Sequence, residues 1–211
     1  MGVQSKISGI VLAGGMSRRL GRDKAVEPVG GEPLIARVLH RVSQVTDQTV
    51  VVVNEIDRAS ALPLNEASTK RTPASVAVDA YPGKGSLGGI FTGLSASDAD
   101  WGLVVACDMP FLNVELFRHM LSVRDGSDAV VPMVEGRPEP THAVYSRACL
   151  PHMERRLKAD DLKISRFFDE VRVRFLSEEE VDSLDPDHLS FFNVNTQADL
   201  DRALELVEAG Y

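Results

Sequence analysis

The first apolar block of the chain runs into a string of glycine, serine, arginine and lysine, Leu12-Ala13-Gly14-Gly15-Met16-Ser17-Arg18-Arg19-Leu20-Gly21-Arg22-Asp23-Lys24. Paired glycines at a strand end let the backbone approach a ligand closely, and successive free N–H groups there can form an anion-binding concavity. Arg18, Arg19, Arg22 and Lys24 against Asp23 give a net charge of +3 over residues 18–24, in a chain whose total is −8. Phosphate is the natural guest, and a polyphosphate would be steered to this loop. Two better-known phosphate loops do not fit. No Gly-Lys-Ser/Thr follows Gly14 at Walker A distance, and GxGxxG fails because Gly14 and Gly15 are adjacent and Gly21 comes late.

Five other positions carry groups able to serve such a ligand. Asp108 follows the apolar run Leu103 to Ala106, which places a carboxylate at a strand's C-terminal end. A hard oxygen ligand for Mg²⁺ facing a crevice is expected there, and the same residue could instead cap the turn before Pro110 or the helix beginning near Asn113. Asp79 ends another strand amid Gly83, Gly85, Gly88, Gly89 and Gly93, which leave little bulk between it and a ligand. Asn54 follows the second strand, where a turn residue would also fit. Asn193 and Asn195 precede a capped helix; amide oxygens can join Mg²⁺ coordination or orient a phosphate, and asparagine is equally a routine cap. The five histidines show no metal-ligand spacing and no GxSxG nucleophile motif occurs. His142, beside Thr141, is the one histidine worth testing for catalysis.

The elements that must hold these groups follow from the hydrophobic pattern. Apolar blocks recur at Ile10 to Ala13, Val50 to Val53, Val76 to Val78, Leu103 to Ala106 and Ala129 to Val134. Several are continuous Val/Ile/Leu runs, which is how strands covered on both faces read. Between them, Pro33 to Val45 carries a helical apolar stripe, and Gly88 to Ser97 and Val114 to Val123 are further helix candidates. Repeated βα alternation predicts an α/β domain with right-handed crossovers and its ligand crevice beyond the strands' C-terminal ends. In the back half, Ala143 to Tyr145 and Val171 to Leu176 could be strands, and Leu150 to Leu157 and Ile164 to Phe168 helical pieces. Thr196 with Asp199 predicts a capping box opening a final helix.

Composition narrows the classes further. The chain has 211 residues, 44% hydrophobic and 26% charged, enough for a proper core and close to soluble globular averages. No apolar run approaches the ~20 residues that span a bilayer. An acidic balance of 23 Lys+Arg against 31 Asp+Glu disfavours a general nucleic-acid binder. Two cysteines, Cys107 and Cys149, form neither a disulfide framework nor a thiolate cage. With a short polar start at Met1 to Ser8, the expectation is a cytoplasmic protein with reduced thiols and no membrane partner.

The string from Leu12 to Lys24 reads LAGGxSxRxGxDK without a mismatch, and with it the chain resembles the molybdenum cofactor guanylyltransferases, within the Rossmann-like nucleotidyltransferases. Asn54, the segment Asp79 to Gly89, Cys107-Asp108-Met109-Pro110, Pro140-Thr141 and Phe192-Asn193-Val194-Asn195-Thr196 continue the likeness in family order over almost the whole chain. The resemblance implies a three-layer α/β fold with a mostly parallel central sheet. It implies one nucleotidyltransferase domain over 1–211, with a nucleotide-binding half about 1–112 and an acceptor-binding half about 113–211. It implies GMP transfer from GTP to molybdenum-bound molybdopterin with Mg²⁺, and molybdoenzymes or their chaperones as further partners. Leu12, Ala13, Gly14, Gly15, Lys24, Asn54, Asp79 and Asp108 would bind the nucleotide, Arg19, Lys24 and Asp108 would be catalytic, and Asp108 would hold the metal. Thr141, Lys163, Arg166, Asn193 and Asn195 would approach the acceptor, together with the region Arg137 to His142. Two departures stand out: Gly85-Ser86-Leu87 where Gly-Pro-Leu is usual, and Ala159-Asp160-Asp161 where Gly-acid-Arg is common. A cytidylyl or other small-phosphate nucleotidyltransferase of the same fold, and a non-enzymatic cofactor carrier, are the alternatives. Ala13-Gly14-Gly15 favours GTP over CTP, and Lys24 together with Asp108 argues against a mere carrier.

Overall fold

Alternate residues of the central strands enter opposite hydrophobic clusters, which is why their sequences read as unbroken apolar runs. In the computed structural model, which describes residues 5–15, 23–64 and 74–211, Val11 of β1 (Ile7–Leu12) packs on one face while Ile10 packs on the other. β4 (Gln48–Val53) divides in the same way, with Val51 and Val53 on one side and Val50 and Val52 on the other. So does β6 (Trp101–Ala106), where Val104 opposes Leu103 and Val105. Such a sheet must be covered twice.

With β5 (Ala74–Val78), β7 (Ala129–Val134), β9 (His142–Ser146) and β10 (Val173–Leu176), these strands form a sheet in the order β5-β4-β1-β6-β9-β7-β10. All neighbours are parallel except β9, which runs antiparallel to both β6 and β7. The short β8 (Arg137–Pro138) turns back on β7 through Glu135 and Gly136, both at positive φ (50° and 71°), the geometry of a two-residue hairpin.

Helix α1 (Leu34–Val42) and helix α4 (Val114–Ser122) cover one face, the first with Ile35, Val38, Leu39 and Val42, the second with Leu116, Phe117 and Met120. Helix α3 (Gly85–Ala96), helix α5 (Leu150–Lys158) and a 3-10 segment (Ile164–Glu170) cover the other. This is the expected three-layer arrangement. α3 lies unusually close to the sheet, because a Cβ on Gly93 would clash with Ile10 Cγ2. A hairpin of β2 (Pro28–Val29) and β3 (Glu32–Pro33) joins a third cluster, in which Val29, Leu34 and Phe111 pack against Leu200, Ala203 and Leu206 of α7 (Gln197–Glu208). Thr196 and Asp199 cap α7 reciprocally, as predicted.

Differences from expectation are local. α1 stops at Val42, and the Ile164 piece is 3-10 rather than α. Two short helices, α2 (Ile56–Ala61) and α6 (Glu178–Asp182), have no apolar stripe long enough to predict them, although Ser177 and Glu180 form a capping box for the second. Among the described residues no helix is long and apolar enough to cross a membrane.

Candidate active site

Four strand ends are knitted into one row. Ala13 N–H donates to Val52 O (2.8 Å), Cys107 N–H to Leu12 O (3.1 Å) and Asp79 N–H to Val53 O (2.8 Å), so the ladder continues past the C-termini of β1, β4, β5 and β6. Gly14, Gly15, Asn54, Asp79 and Asp108 therefore stand along one edge and line a cleft of about 510 Å³. The Asn54 amide nitrogen donates to Gly14 O, pinning the glycine pair. Ala13 itself is buried in the core beneath.

Asp79 is held rather than free. Its Oδ1 accepts from Thr92 Oγ1 and from Tyr81 N–H, each at 3.0 Å, which fixes the carboxylate at the end of β5 facing α3. Gly83 and Gly85, at φ 81° and 64°, form the turn into α3 on the cleft's other wall.

Lys24 enters from a 3-10 turn, Lys24–Val26, whose Ala25 N–H is capped by Asp23 Oδ1 at 3.1 Å. Arg58 Nη2 on α2 donates to the same oxygen at 2.8 Å. The Lys24 ammonium is buried, donating to Asp108 Oδ2 and to Asn195 Oδ1, the latter at 2.9 Å. Asn195 reaches this place because Val194 N–H donates to Asp108 O at 2.9 Å, sewing the segment before α7 to the end of β6. The other carboxylate oxygen, Asp108 Oδ1, is buried without a hydrogen-bond partner. An anionic oxygen left so is costly unless something electropositive meets it. No group of three or more metal-ligating side chains exists among the described residues. A lone hard carboxylate oxygen suits an ion that takes its remaining ligands from phosphates and water, as Mg²⁺ does.

A second cleft of about 660 Å³ shares Gly83, Gly85 and Ser86 with the first and extends toward the back half. Its far wall is Arg137 on β8, Pro138, Pro140, Leu162, Lys163 and Ile164. Arg137 and Lys163 are cations here, while the prolines, Leu162 and Ile164 are apolar, so the cleft suits a flat ring carrying negative charge.

The remaining predicted residues fall elsewhere. Arg166 donates to Asp161 Oδ1 (2.6 Å) on the surface, Asn193 donates to Phe191 O (2.8 Å), and Thr141 lies beside but not on the lining of the second cleft. Arg19, with Met16 to Arg22, lies outside the described residues. His142 is in the core, its ring 5.0 Å from that of Phe117 and 4.6 Å from that of Phe191. Burial pushes its pKa down to about 3, with the Ser190 backbone offsetting only part. Burial and the neighbouring Asp108 push the Cys107 thiol up to about 12, so it packs as a small apolar residue. Sequence reasoning missed Arg58, which no motif marks. It also missed Lys84, whose placement between Gly83 and Gly85 was the available signal.

A glycine pair at one strand end, an acid at the next, and a cleft beyond the edge of a mostly parallel three-layer sheet are the frame of a Rossmann-like nucleotide site. The MobA-like NTP transferase domain matches residues 9–174, and the chain belongs to that family. Across 206 residues it is 36% identical to the molybdenum cofactor guanylyltransferase of Desulfosudis oleivorans, covering 97% of each chain. It superposes on the crystal structure of molybdopterin-guanine dinucleotide biosynthesis protein A from Archaeoglobus fulgidus with a TM-score of 0.79 at 30% identity, covering 97% of this chain and 99% of that one. A 4-diphosphocytidyl-2C-methyl-D-erythritol synthase from Anaerococcus prevotii shares the fold at 19% identity (TM-score 0.68, 97% and 99% covered).

Proposed function

We propose that the protein transfers GMP from GTP to molybdenum-bound molybdopterin, releasing pyrophosphate and forming the guanine dinucleotide of the cofactor. The observation that carries this reading is the meeting of Lys24, Asp108 and Asn195 at the junction of the strand-end cleft with the C-terminal segment. The family likeness supplies the identity of the two substrates. The nucleotide belongs to the half about 1–112 and the acceptor to the half about 113–211, within one domain.

Transfer of this kind asks for in-line alignment and neutralised charge rather than a protein nucleophile. Leu12, Gly14 and Gly15 give the nucleotide a wall of bare backbone, kept in shape by the Asn54 amide. Asp79, fixed by Thr92, offers an acceptor to hydrogen-bond donors on the nucleoside. Lys24 is placed to neutralise the phosphates, and Arg19 would add to it from the basic loop. Asn195 and Asp108 hold the ammonium aimed while the cleft is filling. Mg²⁺ on Asp108, when bound, supplies Lewis-acid neutralisation of phosphate oxygens. Arg137 and Lys163 take the acceptor's phosphate, and Pro138, Pro140 and Ile164 flank its ring.

The test is transfer of label from each α-³²P nucleoside triphosphate to purified molybdenum cofactor with Mg²⁺, beside a control lacking acceptor. Acceptor-dependent labelling from GTP alone is expected. Labelling from CTP alone would correct the base, and no labelling from any triphosphate would overturn the reaction.

A further inference from the structure

Lys84 stands at the boundary of the two clefts. It lines the second, while its neighbours Gly83 and Gly85 line both. Its backbone is set by those glycines and by its own N–H donating to Tyr81 O at 3.0 Å, so its side chain is delivered toward the acceptor side. There its ammonium is occupied: Nζ donates to Asp160 Oδ1 at 2.6 Å. Asp160 follows α5 with φ 56°, a left-handed conformation, and this turn presents its carboxylate across the rim of the cleft, which it does not line.

The pair is unequal. The Lys84 side chain is 34% exposed and that of Asp160 73%. An ion pair so exposed contributes little, so a ligand's phosphate can replace the carboxylate at small cost. Among the described residues Arg137 and Lys163 have no carboxylate partner, whereas Lys84 does. One of the three cations of this cleft is thus held back.

We propose that Lys84 is a third phosphate-binding cation of the acceptor cleft, that Asp160 competes with the ligand for it, and that Asp160 thereby weakens and selects anion binding at this cleft. The ligand class is a phosphomonoester attached to a flat ring, and its identity as the transfer acceptor rests on the function proposed above. Because Lys84 touches the cleft and Asp160 does not, Lys84 binds and Asp160 tunes.

Four full-length chains test this: the unaltered protein, Asp160→Asn, Lys84→Gln and the double variant. In calorimetric titrations with phenyl phosphate, Asp160→Asn is expected to bind about two- to fivefold more tightly, the range an exposed ion pair supports. Lys84→Gln is expected to bind more weakly by at least that factor, and Asp160→Asn to have no effect once Lys84 is gone. In the transfer assay the acceptor KM should follow the same order while the KM for GTP stays fixed. Equal affinities among the four, no binding to any of them, or an Asp160→Asn gain that survives in the double variant overturns the proposal. So does a GTP KM that moves with the acceptor KM. Absence of GMP transfer by the unaltered protein, with the phenyl phosphate order intact, overturns the reaction assignment and leaves the Lys84 role standing.

Discussion

Lys24 and Asp108 lie 84 positions apart in the chain and form a buried ion pair in the wall of the strand-end cleft. Each is the other's counter-charge, so removing either leaves an unpaired charge where water is scarce.

Lys24→Met and Asp108→Asn are each expected to lower kcat/KM for GMP transfer on the order of 10² or more, as loss of a group aimed at developing charge does. The two differ in binding. Thermal midpoints measured with and without GTP and Mg²⁺ should rise with ligand in the unaltered chain. Asp108→Asn should retain the rise with GTP alone and lose the added increment from Mg²⁺. An undiminished Mg²⁺ increment would remove Asp108 from the metal site.

Arg58 lies behind the cleft and reaches it through Asp23, whose carboxylate caps the Lys24 turn; neither Arg58 nor Asp23 lines the cleft itself. Arg58→Ala is expected to raise the KM for GTP about tenfold through a loosened Lys24, with a smaller change in the acceptor KM. Arg58→Lys should recover most of the loss if the pairing of charge is what matters, because Arg58 meets Asp23 through Nη2 alone. Steady-state kinetics with each substrate varied in turn would separate these effects, and an unchanged GTP KM in Arg58→Ala would make Arg58 a surface residue only.

His142 stays neutral in the folded protein down to about pH 3, whereas in the unfolded chain it takes a proton near pH 6.5. Stability therefore falls as pH drops from about 6.5 toward 3, because the unfolded state binds the extra proton, with a slope approaching ~1.4 kcal/mol per pH unit from this group. His142→Leu should flatten denaturant-melt stability across that interval and leave GMP transfer at neutral pH intact. Equal pH slopes in both chains would refute the assignment.

Gly93 permits α3 to lie against Ile10 and Val52. Alanine there gains up to about 1 kcal/mol of helix propensity but must push Ile10 aside, which costs about 1–3 kcal/mol. The expected net effect in urea melts is destabilisation.

Much of this was legible in the residues. The continuous Val50 to Val53 and Leu103 to Ala106 runs announced strands covered on both faces, and Thr196 with Asp199 announced the start of α7, because such patterns are local. The row formed by Gly14, Asn54, Asp79 and Asp108 was legible because strand ends in a parallel sheet collect at one edge. The partner of Lys24 was not: Asn195, which the resemblance implies approaches the acceptor, accepts from the lysine, a contact that depends on α7 packing against the β2–β3 hairpin. Arg58 and the Lys84–Asp160 pair were equally hidden, since ion pairs between distant elements leave no periodic trace.

The third cluster fastens the end of the chain to its beginning, with α7 against the hairpin that follows Lys24 and Asn195 on the lysine 171 positions after it. Early and late parts of the sequence must therefore both be in place before this centre exists: the lysine has its full set of partners only once the α7 segment has docked on the hairpin.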